Sequence, residues 1–94
     1  GVSIDTTLNG TEAVVVETRA LKKGDEILFT VWGDKTTDKF RVGWKDSSGK
    51  TISVTSTDGE IFHTFTIPKD DTYILFIQRT SSGTVHVTGR VSLK

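Results

Sequence analysis

The sequence predicts an all-β protein: an antiparallel β-sandwich of about eight strands, jelly-roll or Greek-key in type, with a closed barrel as the second choice. Three observations carry this reading. Apolar and β-branched residues alternate with polar ones over short runs, and no stretch sustains helical spacing. Turn signals built from Gly, Asp and Ser recur roughly every 8 to 12 residues. Finally, 94 residues suffice for one core, each half supplied by the inner face of one sheet. Residues 1–94 are therefore read as a single β-sandwich domain.

Taken in order, VSIDTTL near the N terminus is the first short strand. EAVVVETRAL (12–21) is dominated by β-branched residues, with Val14 and Val16 on one parity and Val15 on the other. In GDEILFTVWG (24–33), Ile27, Phe29 and Val31 oppose Glu26, Leu28, Thr30 and Trp32. KFRVGWK (39–45) sets Phe40, Val42 and Trp44 against Arg41, Gly43 and Lys45. In DSSG (46–49), Asp and Ser can bond their own backbone and Gly accepts positive φ, so a hairpin into KTISVTS is expected. Asp58-Gly59 repeats that signal and predicts a second hairpin, into EIFHTFTI. There Ile61, His63, Phe65 and Ile67 oppose Phe62, Thr64 and Thr66. Pro68, the only proline, has no N–H to donate and ends that ladder. TYILFIQRT (72–80) is apolar on both faces in its middle, as a central strand is. In TVHVTGRVSL, Val85, Val87, Gly89, Val91 and Leu93 point inward, and His86, Thr88, Arg90 and Ser92 outward.

Composition removes several functions. Twelve basic and twelve acidic residues cancel, so no long-range field gathers nucleic acid or an anionic membrane, and nucleic acid is not an expected partner. The absence of cysteine excludes disulfides, thiolate zinc sites and cysteine nucleophiles. No apolar run approaches the roughly 18 residues of a membrane span. The sequence opens at Gly1 and contains no methionine, so a processed or excised segment is expected, with secretion or the cell surface as its location.

Several motifs recur in a familiar order. Leu21, Gly24 and Asp25 form a "leucine, spacer, Gly-Asp" lead into a strand, Asp46 and Gly49 an Asp-x-x-Gly hairpin, and Tyr73 a tyrosine in a late strand. In these features the chain from Leu21 to Leu93 resembles the bacterial pre-peptidase C-terminal domains and GOLD-like β-sandwiches. It departs from them in carrying Asp71-Thr72 before the tyrosine, where those families usually place glycine, and in a middle thin in aspartate. The resemblance implies an accessory module of a secreted protein, often attached to an enzyme, with no chemistry of its own.

No catalytic constellation stands out. Of the two histidines, His63 shares a parity with Ile61 and Phe65 and reads as a core or rim residue, and His86 reads as a solvated surface group. No G-x-S-x-G elbow occurs. The expectation is a protein that is not an enzyme and needs no cofactor. Calcium is the one metal to weigh: Asp70 and Asp71 can ring an ion if another loop brings Asp34 or Asp38 to them, but no D-x-D-x-D spacing occurs and solvated turn aspartates are preferred. Two histidines alone make a poor zinc site.

Binding is the class with most support. Phe29, Phe40, Trp44 and Phe65 fall on inner parities and supply the core, which leaves Trp32, Phe62 and Phe76 opposite them and Tyr73 undecided. The expected ligand surface is Trp32, Phe62, Phe76 and Tyr73, rimmed by Arg41 and Arg79, and its expected partner is a polysaccharide or a protein surface. The alternatives are burial of these rings in a second small core, a self-associating structural module, and a stand-alone secreted effector of bacteriocin, toxin or inhibitor type. For variable contacts the best place is GDKTTDK (33–39), a polar loop that need not pack.

Overall fold

Period-two alternation becomes eight strands in the computed structural model, which describes every residue from Gly1 to Lys94. They are β1 (Val2–Leu8), β2 (Val14–Leu21), β3 (Glu26–Gly33), β4 (Phe40–Lys45), β5 (Thr51–Thr55), β6 (Glu60–Thr66), β7 (Asp71–Arg79) and β8 (Val85–Leu93). The first sheet has the order β1-β8-β3-β6 and the second β2-β7-β4-β5, with all pairings antiparallel. Only β4 and β5 are consecutive partners; every other connection crosses between the sheets. This is jelly-roll connectivity, and two separate sheets replace the closed barrel. There is no helix long and apolar enough to cross a membrane.

The inner parities supply one core. Ile27, Phe29 and Val31 on β3 and Val87 and Val91 on β8 join Phe40, Val42 and Trp44 on β4 and Tyr73, Leu75 and Ile77 on β7, all buried. As its two-sided apolar pattern demands, β7 is a central strand, between β2 and β4. Edge-to-face pairs Phe29–Phe65 (5.8 Å) and Trp44–Tyr73 (5.1 Å) add directional packing to the area buried. Tyr73 is wholly buried and its hydroxyl donates to the Lys69 carbonyl at 2.7 Å. Burial raises the phenol's pKa above its ordinary value, so it stays neutral. The tyrosine thus ties the chain leading into β7 to the core.

Three expectations are corrected. The Asp58-Gly59 turn forms as its sequence asks, with φ of 54° and 72° and both backbone bonds between Thr57 and Glu60, yet no β5–β6 hairpin follows. The strands leave the turn in different sheets because pairing with β3 buries Ile61 and Phe65. Turn chemistry fixes the turn, and burial decides where the strands go.

The segment 33–39 is exposed over most of its length, as a polar loop is, but it is pinned to the fold at Asp38. Asp38 is buried, its carboxylate accepting the Lys35 amide at 2.9 Å and its carbonyl the Ser56 hydroxyl at 3.1 Å. A Cβ on Gly59 would lie 2.2 Å from the Lys35 carbonyl oxygen, so glycine there serves both the turn and this contact.

In β2 a bulge between Val15 and Glu17 breaks the expected parity. Val14, opposite Ile77, and Val16, against the core, keep their shared side and Val15 faces out, but beyond the bulge Glu17 falls opposite Leu75 and Thr18 opposite Ile74, the reverse of simple alternation. The bulge and the Glu17–Arg19 pair (3.1 Å) blunt this edge strand against pairing with other chains.

Candidate functional site

The outer face of the first sheet gathers the largest exposed aromatics. Trp32, at the end of β3, is 42% exposed and Phe62, on the edge strand β6, is 57% exposed. Their parity turns both outward, and the β3–β6 register (Trp32 opposite Glu60, Phe62 opposite Thr30) sets them diagonally across the strand pair. The rings meet edge to face, with centroids 5.4 Å apart and planes at 78°. Together they form an open corner rather than a flat strip.

Polar groups flank that corner in rows fixed by the registers. One row runs Asp5, Thr88, Trp32, Glu60 and the next Ser3, Arg90, Thr30, Phe62. Beside Phe62, where edge strands β5 and β6 face each other, lies a concavity of about 310 Å³, lined by Thr55, Asp58, Glu60 and His63 among others. That is the small end of the range for ligand sites.

His86 lies on the same face and is held from both sides. Its Nε2 is 2.7 Å from an Asp5 carboxylate oxygen, and its Nδ1 is 3.1 Å from one of Asp34. A neutral imidazole has one donor and one acceptor, so only the imidazolium, donating from both nitrogens, suits two carboxylates. Asp5 first and Asp34 second raise the His86 pKa above its ordinary value. The clamp joins β1, β8 and the start of the 34–39 loop, and both ring nitrogens are already occupied. His63, the other histidine, rests at the rim with its ring 4.5 Å from that of Phe65.

The remaining expected ligand residues lie elsewhere. Tyr73 is in the core and presents no surface. Phe76 points out of the second sheet, on the opposite side of the sandwich, and is only 4% exposed because Arg41 covers it, the guanidinium carbon 5.4 Å from the ring centroid. Arg79 is a staple: its Nε donates to the Gly10 carbonyl at 2.7 Å and its Nη1 to that of Gly83. Of the six, the structure unites Trp32 with Phe62 and Phe76 with Arg41, on opposite faces.

The aspartates weighed for calcium are also divided. Asp38 lies at the end of the sandwich where β4 begins beside Arg79, and Asp71 opens β7 at the other end, roughly 26 Å away by strand rise. Asp70 accepts the Lys23 amide, and Asp71 accepts the Ser47 hydroxyl and the Ser47 and Thr72 amides. The Ser47 hydroxyl foremost keeps the Asp71 pKa below its ordinary value. No group of three or more His, Asp or Glu side chains is placed to hold a metal ion.

Asp5, Thr88 and Glu60 were not singled out from the sequence. Parity turned them outward, but only the β1-β8-β3-β6 order makes them neighbours of Trp32. No family model matches the sequence, and no curated protein matches it. Among solved structures, the chain is similar to the crystal structure of SPBc2 prophage-derived protein YomS, at 15% identity and a TM-score of 0.48, over 100% of this chain and 96% of that one.

Proposed function

We propose that the chain is a non-catalytic carbohydrate-binding module, acting outside the cell or at its surface, that stacks a sugar ring in the corner made by Trp32 and Phe62. The observation that carries this reading is the exposed edge-to-face pair at 5.4 Å, flanked by carboxylates, hydroxyls and Arg90. Aromatic faces take the apolar C–H side of a sugar, and the flanking rows supply hydrogen bonds to its hydroxyls. Because the ring planes stand at 78°, the corner suits one sugar unit or a chain end better than a flat crystalline polymer.

A protein surface is the second reading. A stable protein interface wants roughly 800 Å² per partner with an apolar centre, and two aromatics ringed by charge fall short of that. The absence of a catalytic role is part of the proposal, supported by the occupation of both His86 ring nitrogens by carboxylates. The resemblance of the Leu21–Leu93 region to pre-peptidase C-terminal domains supports a role beside a larger partner domain.

A glycan array probed with the wild-type chain, with Trp32→Ala and Phe62→Ala as controls, tests this. Retention on a defined glycan that both variants lose supports the proposal. Retention on no glycan, or retention unchanged in both variants, overturns it.

A further inference from the structure

The second sheet's outer face has a different chemistry. Arg41 and Lys45 lie four residues apart on the outward parity of β4, with only Gly43 between them on that face, and from Val15 and Thr18 on β2 to Thr51, Ser53 and Thr55 on β5 no outward position carries a carboxylate. Neither cation takes part in any ion pair of this chain. In a protein of zero net charge, this face is a local excess of two unneutralised positive charges.

Arg41 is also built into place. Its Nε donates to the Gln78 side-chain oxygen at 2.8 Å and its Nη1 to the Ser53 hydroxyl at 3.3 Å. Gln78 is fixed in turn by donating to the Thr11 carbonyl at 2.6 Å. The guanidinium covers the buried ring of Phe76, and its Nη2 has no protein acceptor, so that nitrogen is left for a ligand. A depression of about 170 Å³ opens beside it, lined by Ala13, Arg41, Lys45, Thr51, Phe76 and Gln78.

We infer that this depression is a subsite for the carboxylate of a uronic-acid residue, distinct from the Trp32 corner on the opposite face. A pre-oriented guanidinium donates to a carboxylate from its free Nη2 in a charge-assisted hydrogen bond, and Lys45 adds a point charge. The Thr51 hydroxyl and the Ala13 side chain border that anion position, with Phe76 beneath Arg41 as its floor. Two cations neutralise too few phosphates for a nucleic-acid tract.

The test is an NMR titration of the isotopically labelled chain with trigalacturonate, with a neutral galactose trimer and with sodium sulfate. Trigalacturonate is expected to give saturable shifts at the Arg41 Nε–H, the Lys45 and Thr51 amides and the Gln78 side chain. Affinity is expected to fall about tenfold in Lys45→Gln and more in Arg41→Gln. Lys45 is exposed, so its variant keeps the test informative even if Arg41→Gln disturbs the packing on Phe76. No saturable shifts, equal shifts from the neutral trimer, or shifts centred on Trp32 would overturn the subsite. Equal affinity for sulfate would replace the uronate by an inorganic anion and overturn the ligand assignment.

Discussion

Truncating each tryptophan to alanine separates a surface role from a structural one. Trp44 is 3% exposed and Trp32 42% exposed. Taking about 150 Å² as the burial a tryptophan offers beyond alanine, Trp32 hides a little over half of it, which at about 25 cal/mol per Å² comes to about 2 kcal/mol. Its removal opens no cavity, because the ring lies on an outer face. Trp44→Ala loses nearly the whole area and leaves a void against Tyr73, a loss of about 4 kcal/mol. Urea unfolding followed by far-ultraviolet circular dichroism reads the difference. With a slope of about 1.5 kcal/mol per M, Trp32→Ala lowers the midpoint by a little over 1 M, and Trp44→Ala uses up most of the stability of so small a domain. Equal losses in the two variants would refute the argument, since Trp32 would then be a core residue.

Tyr73→Phe keeps the ring but leaves the Lys69 carbonyl without its donor, a destabilisation of about 1 kcal/mol by urea midpoint; an unchanged midpoint would deny the tether. Asp46 is buried in the β4–β5 turn, where the Ser48 hydroxyl, foremost, and the Ser48 and Lys50 amides hold its pKa below the ordinary 3.8. The stabilisation is present above the unfolded value and lost as pH falls through the folded one, so Asp46→Ala is expected to be less stable than wild type at neutral pH and to converge with it in acid. His86 runs the other way. Asp5 and Asp34 raise its folded pKa above 6.5, so the clamp stabilises fully below that value and weakens as pH rises through the folded pKa. An NMR titration of the His86 ring should give a midpoint above 6.5, and one at or below it would contradict the two-carboxylate geometry.

Local patterns wrote much of this molecule into its sequence. Alternation assigned Phe29, Phe40, Trp44 and Phe65 to the core and Trp32 and Phe62 to the outside, because a strand's two faces follow from backbone geometry alone. Strand neighbours were harder, since they depend on which pairings bury the most surface across the whole chain. Asp58-Gly59 promised a hairpin that the sandwich declined. Phe76 shares Trp32's outward parity but belongs to the other sheet, beneath Arg41. Tyr73 could not be assigned while β7 read as apolar on both faces, and the His86 clamp needed the β1–β8 pairing that no local signal announces. Arg79 reaches two loop carbonyls distant from the sheet faces, a role no periodicity reveals.

The central claim is that Trp32 and Phe62 form a sugar-stacking corner. Its most direct test is to titrate the labelled chain with the oligosaccharide best retained on the array, following the Trp32 indole N–H and the Phe62 ring protons. Saturable shifts at both rings, with smaller ones at Thr88 and Glu60, are the predicted result. Binding that leaves the Trp32 indole signal unmoved would contradict the account.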